Sequence, residues 1–383
     1  MSQQPILTIR RFAQIRDVHL RFGDLTVLVG AQGTGKSLAL QWLKTAVDGR
    51  QIANALQDAG MNAANPDVII DLIFGVGMRT AWKQDTRVTF DKRSITPKNI
   101  GRIGDGTERV FYIPAHRSML VSDGWAAPFQ RLSPDTPVVA RLFSQNLFSL
   151  FSGKSRDTLF PIDRILQSQF RDLIDKAVYH GGTVGLEDDQ MHAKRLSLAH
   201  GDTRLPFMSW TAGQREFTPL LLGLYHLLPH VKMTKQPKID WVIIEEPEMG
   251  LHPQAITVFL LLVLDLLQRG YRVVLSTHSP HLLTGVWMLQ RLQNIGASWK
   301  HVCTAFQVEG KGRIRTIADD ALRKSYVVHF FEYADDGRVM SSDISSLDPD
   351  SDNLGESDWG GLTGYSSRFG DAVRKAVNEM QHA

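Results

Sequence analysis

The sequence has few of the features that mark secreted, disulfide-bonded or membrane-spanning proteins. Cys303 is the only cysteine, which excludes a disulfide within the chain and any zinc site built on several cysteines. The longest apolar run, residues 258–268, contains Asp265 and is too short to cross a bilayer. The first residues lack the apolar core of a signal peptide. We therefore expect a cytoplasmic protein with no membrane partner.

A large excess of either charge is also lacking. The net charge is +3, which permits contact with nucleic acid but does not require it. The chain has 383 residues, and 43% of them are hydrophobic. This length and composition suit one large domain, or a core with an added lobe.

The clearest motif that is present is the stretch LTVLVGAQGTGKSLAL near the N-terminus. Leu25–Val29 reads as a buried strand and Leu38–Val47 as a helix, and the loop between them fits G-x-x-x-x-G-K-[ST]. Such a loop wraps phosphates with backbone N–H groups, while its lysine reaches the β- and γ-phosphates and its serine binds Mg²⁺. The alternative is a purely structural glycine turn that binds no ligand. The residues expected to bind ATP are Gly30, Ala31, Gln32, Gly33, Thr34, Gly35, Lys36, Ser37 and Leu38.

A second motif, DWVIIEEPEMGLHPQA, spans residues 240–255 and ends an apolar strand in three carboxylates. Buried carboxylates are costly unless they serve a cation, a water or a proton. A P-loop ATPase needs one acidic group on the magnesium side and another to orient or deprotonate the attacking water. Glu245 fits the first role, with Ser37, although aspartate is usual there, and Glu246 fits the second. The alternative is an acidic helix start, which accounts well only for Glu248.

Two shorter motifs complete the set. In RVVLSTHSPHLL, Val273–Ser276 reads as a strand and His278 lies just beyond its end. In SWTAGQREF, Thr211–Gln214 precedes an apolar helix, so this stretch is either an ordinary helix cap or a phosphate-binding helix N-terminus. Upstream of the P-loop, two short alternating runs are typical of antiparallel strands.

Together these motifs resemble the ABC-like ATPases, and most closely the compact AAA-family ATP-binding proteins related to SMC, RecF and the OLD ATPases. The resemblance implies an α/β ABC-type ATPase head with a mixed sheet and added antiparallel N-terminal strands. It implies that Lys36, Glu246 and His278 act in catalysis. It also implies that Thr211, Gly213 and Gln214 contact the nucleotide of a second protomer, and that Gly250–Pro253 crosses the interface between protomers.

The same resemblance implies ATP and Mg²⁺ as cofactors and a homodimer or higher homo-oligomer with composite ATP sites. Stand-alone heads of this kind are similar to ATPases of bacterial anti-phage systems, which control a separate effector such as a nuclease or toxin. The alternative is a RecF- or SMC-like ATPase that binds DNA in repair. The chain departs from the family where a glutamine is usual, because RVFYIPAHRS offers His116 and Arg117. These two residues either face phosphate or simply end a strand.

We expect four parts along the chain. Residues 1–118 and 206–320 form the head, and residues 119–205 form an inserted helical lobe with a β-hairpin. Residues 321–383 form an acidic segment and a final helical cap, and this segment is either a solvated loop or a docking element. The lobe either sets partner specificity or merely packs on the head.

Overall fold

The computed structural model describes residues 4–121, 124–151, 158–162, 166–188, 194–228 and 235–381. The strands in chain order are β1 (Ile6–Phe12), β2 (Ile15–Arg21), β3 (Leu25–Gly30), β4 (Arg87–Phe90), β5 (Arg93–Ile95), β6 (Val110–Ile113), β7 (Thr158–Phe160), β8 (Thr183–Asp188), β9 (Lys194–His200), β10 (Thr203–Pro206), β11 (Trp241–Glu245), β12 (Arg272–Ser276), β13 (Tyr326–Tyr333) and β14 (Val339–Asp343). The helices are α1 (Lys36–Asp58), α2 (Ile69–Phe74), α3 (Val138–Phe151), α4 (Ser168–Ile174), α5 (Ala212–Leu227), α6 (Pro253–Gln268), α7 (Pro280–Asn294), α8 (Trp299–Ala305), α9 (Gly312–Ala321), α10 (Leu354–Ser357) and α11 (Gly364–Gln381).

The main sheet is mixed, as the sequence predicts. Within the described residues its strand order is β5-β4-β1-β2-β14-β13-β3-β12-β11-β6. Strands β13, β3, β12, β11 and β6 run parallel to one another, whereas β1, β2, β4 and β5 form an antiparallel extension, of which the sequence predicted β1 and β2. The parallel strands therefore end at one edge, where ligands of α/β proteins bind.

Helices cover both faces of the parallel strands. On β3, Val27 and Val29 join one apolar cluster with α5 and α6, and Leu28 joins a second cluster with α1. All six residues of β3 are buried because each face is covered. This explains why the strand reads as a continuous apolar run in the sequence.

The inserted lobe shares its core with the head. Its strands form a second sheet with the order β10-β9-β8-β7, and the antiparallel pair β8–β9 is the predicted hairpin. One predicted turn of this hairpin lies partly in residues 189–193, outside the described part of the chain. Tyr179 lies in a π-helical turn that continues α4. Its hydroxyl oxygen is 2.9 Å from the hydroxyl oxygen of Thr218 in α5. Side chains of the lobe and of α5 belong to one continuous apolar cluster.

The C-terminal part contributes two strands that the sequence analysis missed. Strand β13 lies between β14 and β3, inside the main sheet, and β14 pairs with β2. Beyond them the acidic segment packs against α7. The ring of Trp359 lies 6.1 Å from that of Trp287, centroid to centroid, and its indole N–H donates a hydrogen bond to the Leu347 carbonyl. Among the described helices, none is long and apolar enough to cross a membrane.

Candidate nucleotide-binding site

The carboxyl ends of adjacent parallel strands bring the predicted site residues together. Strand β3 leads into the loop 30–37, β11 ends at Glu245, and β12 is followed by His278. Because β12 pairs with both β3 and β11, these three ends are neighbours in the sheet. Sequence positions up to 248 apart (residues 30 and 278) thus meet at one edge.

The phosphate loop has the backbone that its glycines predict. Gly33 and Gly35 have φ values of 77° and 85°, which favour glycine, and Gly35 is the N-cap of the 23-residue helix α1. A Cβ at Gly30 would collide with the carbonyl oxygen of Phe331 in the neighbouring β13. The Thr34 hydroxyl donates to the Ala31 carbonyl at 2.7 Å and braces the loop. Residues 31–33 are exposed, and a loop that exposes its residues before a helix N-terminus suits the phosphates of a nucleotide.

Lys36 lies inside this loop. Its ammonium donates to the carbonyls of Gly30 at 2.8 Å and Ala31 at 3.0 Å. Burial lowers the pKa of Lys36, while the charges of Glu246 and Glu248 raise it in part. This cation is therefore held at the loop and close to the acidic end of β11.

Glu245 is a buried carboxylate at the end of β11. Its Oε2 accepts a hydrogen bond from the Ala115 N–H at 3.2 Å, and the hydroxyls of Ser37 and Tyr112 lie beside the carboxylate. Burial raises the pKa of Glu245, and the nearby Ser37 hydroxyl lowers it in part. A buried carboxylate oxygen beside a serine hydroxyl fits the oxygen ligands that Mg²⁺ prefers, directly or through its water shell.

Glu246 and His278 form the central pair of the site. Nε2 of His278 lies 3.1 Å from Oε1 of Glu246, and both side chains are partly exposed. Glu246 has a φ of 43°, which is uncommon for a residue with a side chain. Its N–H donates to the Ser276 carbonyl at 2.9 Å, which fixes the turn to the end of β12. The strained turn aims the carboxylate outward, beside the imidazole and the phosphate loop.

Glu248 does not begin a helix. Residues 246–250 form a turn, and α6 starts only at Pro253. The Glu248 carboxylate instead accepts hydrogen bonds from the Thr277 hydroxyl at 2.7 Å and from the His278 N–H at 2.6 Å. Burial raises the pKa of Glu248. The alternative of an exposed acidic helix start is thus wrong, and Glu248 anchors the backbone that carries the histidine.

The segment after β6 shows the contacts of Arg117, for which the sequence left two interpretations open. Arg117 is fully buried, so its guanidinium does not lie on the exposed surface of the site. It donates to the carbonyls of Glu245 at 2.7 Å and of Glu246 at 3.2 Å. Of the two interpretations, phosphate contact or strand end, neither describes this arginine, which braces the backbone of the acidic turn.

The segment Thr211–Gln214 forms a capped helix N-terminus. Thr211 Oγ1 accepts from the Gln214 N–H at 3.3 Å, and the Gln214 side chain accepts from the Thr211 N–H at 3.2 Å. Thr211 is exposed, and a Cβ at Gly213 would lie 2.7 Å from the Gly250 carbonyl. The N-terminus of α5 therefore packs against the turn that follows Glu246. The sequence left two interpretations open, an ordinary helix cap or a phosphate-binding helix N-terminus. Both include this cap, and they differ only in whether the exposed N–H groups bind a phosphate.

Two residues near the phosphate loop were not predicted. The side chain of Gln14 donates to the Gly33 carbonyl at 2.8 Å, and the Tyr333 hydroxyl donates to the same carbonyl at 3.1 Å. They come from the turn between β1 and β2 and from the end of β13. Nothing local in the sequence marks them, because Tyr333 is 300 positions from Gly33.

Residues 136–284 match the model of the family described as "AAA domain, putative AbiEii toxin, Type IV TA system". No curated protein matches this sequence. A solved structure with a similar shape is the SmcHead bound to the C-winged helix domain of ScpA, with 12% identity and a TM-score of 0.43 over 88% of this chain and 96% of that chain. Another is the SMC head domain from Thermotoga maritima, with 12% identity and a TM-score of 0.38 over 90% of this chain and 99% of that chain.

The matched segment contains the capped helix N-terminus, the acidic end of β11 and His278, and the phosphate loop precedes it. All these motifs follow one another in the predicted order. Their strand ends lie side by side in a mixed α/β sheet. The motif order and the mixed α/β sheet that carries the motifs agree with the match of residues 136–284 to the AAA-domain model.

Proposed function

We propose that this protein binds and hydrolyses ATP with Mg²⁺, and that Glu246 is the general base. The observation that carries the proposal is the Glu246–His278 pair, 3.1 Å apart at the strand ends beside the phosphate loop. A carboxylate in this place can orient a water and accept its proton. The imidazole can hold the carboxylate in position and contact the terminal phosphate.

The phosphate loop residues 30–38 supply nucleotide binding in this account. Backbone N–H groups of the loop and of α1 would bind the phosphates, and Lys36 would leave the loop carbonyls to reach the β- and γ-phosphates. Ser37 and Glu245 would hold the metal. Mg²⁺ would neutralise negative charge on the phosphates.

Hydrolysis in this proposal needs a second copy of the chain. The exposed N-terminus of α5, with Thr211, Gly213 and Gln214, offers N–H groups and a hydroxyl to an anion. In the composite arrangement it binds the nucleotide held by the partner's phosphate loop. ATP would then join two chains, and hydrolysis would release them, so that the interface is the two-state element.

What this switch controls is a separate effector in anti-phage defence, and we propose a nuclease or toxin. The description of the matched family, which names a toxin of a toxin–antitoxin system, supports this context. The rival function is a repair ATPase whose ligand is DNA. The two proposals differ in what binds the ATP-bound state.

The test is purification of Glu246→Gln from its native host in the presence of ATP, with Lys36→Ala as the matched control. Both variants replace a single charged side chain of the candidate site, but only the first should hold ATP. A second protein at stoichiometric yield with Glu246→Gln, absent with Lys36→Ala, is the expected result. Recovery of DNA alone would establish the repair function instead, and recovery of a membrane permease would contradict both.

A further inference from the structure

Arg117 is a buried cation whose N–H groups point at the backbone of neighbouring segments. Besides the carbonyls of Glu245 and Glu246, it donates to the Pro114 carbonyl at 3.0 Å and to the Glu216 carbonyl at 3.3 Å. A guanidinium carries five N–H groups in a rigid fork, and these bonds use four of them. Burial lowers the pKa of Arg117, and the surrounding carboxylates raise it in part.

Arg117 also contacts helix α5, through Glu216. Its Nε lies 3.8 Å from the Glu216 carboxylate, and Glu216 also accepts a hydrogen bond from the Ser118 hydroxyl. Glu216 lies five residues after Thr211, the exposed cap of the same helix. A rigid helix therefore joins the proposed phosphate-binding N-terminus to the guanidinium.

The contact of Arg117 with the acidic turn involves a strained residue, Glu246. Glu246 has a positive φ, and such a conformation persists only where the surroundings hold it. Its N–H is bound by Ser276, and its carbonyl is bound by Arg117. Without the guanidinium the turn is free to relax, and the carboxylate would leave its place beside His278.

We propose that Arg117 is a positioning residue that couples engagement of the α5 N-terminus to the placement of Glu246. When Thr211 and Gly213 bind the partner's nucleotide, the small movement of α5 reaches Glu216, then Arg117, then the Glu245–Glu246 backbone. The close contact between Gly213 and Gly250 transmits the same movement to the far side of the turn. This inference rests on the proposed ATP hydrolysis, and it names Arg117 as the residue through which the partner's nucleotide controls that hydrolysis.

The test is a set of turnover and binding measurements on Arg117→Lys, with Arg141→Met as the matched control. Lysine keeps the charge, but its three donors sit on one atom and cannot reproduce the planar fork with which Arg117 holds four carbonyls. Arg141 is also fully buried, yet it packs over the Phe129 ring, 4.0 Å from its centroid, and has no described bond to the site. Arg141→Met therefore shows how much the loss of a buried arginine outside the site changes turnover by destabilising the fold.

We expect Arg117→Lys to lower kcat about tenfold or more while the Kd for a fluorescent ATP analogue changes less than threefold. Arg141→Met should leave kcat within about twofold. Thr211→Ala should lower kcat in the wild-type background and have almost no further effect in Arg117→Lys, because residues that act as one unit are not additive. Additive effects, or a loss of binding as large as the loss of turnover, would overturn the proposal.

A second variant keeps the test open if Arg117→Lys does not fold. Glu216→Gln leaves the backbone carbonyl partners of Arg117 in place and removes only the charge at the α5 end. The same pattern, reduced kcat with retained binding and non-additivity with Thr211→Ala, is expected. Unchanged kcat in Glu216→Gln would overturn the coupling through α5. If the wild-type chain itself shows no turnover with ATP, the proposed function fails first, and that result is distinct from either outcome.

Discussion

At the scale of single residues, the sequence predicts the role of a side chain where the adjacent residues form a recognisable motif. Lys36, Glu246 and His278 each follow a short apolar strand in a recognisable motif, and the structure brings them to one edge. Arg117 could not be predicted in this way, because its partner Glu245 is 128 positions distant. Its role depends on a contact that exists only after the sheet has formed.

Glu245 gives a prediction about stability at this scale. Its pKa is raised by burial, so the folded protein keeps the proton to a higher pH than the unfolded chain does. The free energy of unfolding therefore falls as pH rises through the interval between the ordinary and the raised pKa, and it stays lower above that interval. Glu245→Gln removes the charge and should raise the melting temperature at pH 8 by about 2 °C, which corresponds to roughly 1 kcal/mol.

The measurement is thermal unfolding of both proteins between pH 4 and pH 8, with a chelator and without nucleotide. The difference in melting temperature should shrink as the pH falls through the interval between the raised and the ordinary pKa of Glu245. Glu309→Gln, at an exposed position, serves as the control and should show no such trend. A pH-independent difference, or a less stable Glu245→Gln at pH 8, would show that the buried charge is not the cause.

At the scale of secondary structure, the strands of the phosphate loop, the acidic turn and the histidine were predictable, and β13 was not assigned. Local composition explains the difference. Strand β13 runs into the acidic stretch from Glu332 to Asp358, which reads as a loop, and its partner β3 lies about 300 positions earlier. Parallel pairing over such a separation leaves no local turn signal in the sequence.

The position of β13 predicts opposite outcomes for two truncations. A chain ending at residue 321 loses β13 and β14, which join the antiparallel extension to β3, so it should not fold cooperatively. A chain ending at residue 363 loses only α11, whose described side chains between residues 369 and 377 are exposed. It should keep the melting temperature within a few degrees and keep ATP binding. Calorimetry and nucleotide titration test both, and a folded, ATP-binding chain ending at 321 would refute this view of the sheet.

At the scale of the whole molecule, the head and the inserted lobe share one apolar cluster. The division of the chain into four parts remains a prediction, because the side chains of the lobe and of α5 pack in the same apolar cluster. The site shows the same integration: β3, β11, β12 and α5 each supply one component. In the proposed dimer, α5 would act on the partner's nucleotide, so the working unit is larger than one chain.

The most direct test of the account is ATP turnover by Glu246→Gln, measured together with ATP binding on the same protein. Loss of a general base should slow hydrolysis by about 10²-fold or more, while the binding constant stays close to that of the wild type. Glu248→Gln is the matched control in the same turn, because glutamine keeps an oxygen that can accept from the Thr277 hydroxyl and the His278 N–H, and it should slow hydrolysis far less. Turnover by Glu246→Gln at the wild-type rate, with ATP still bound, would contradict the assignment of the base and with it the proposed mechanism.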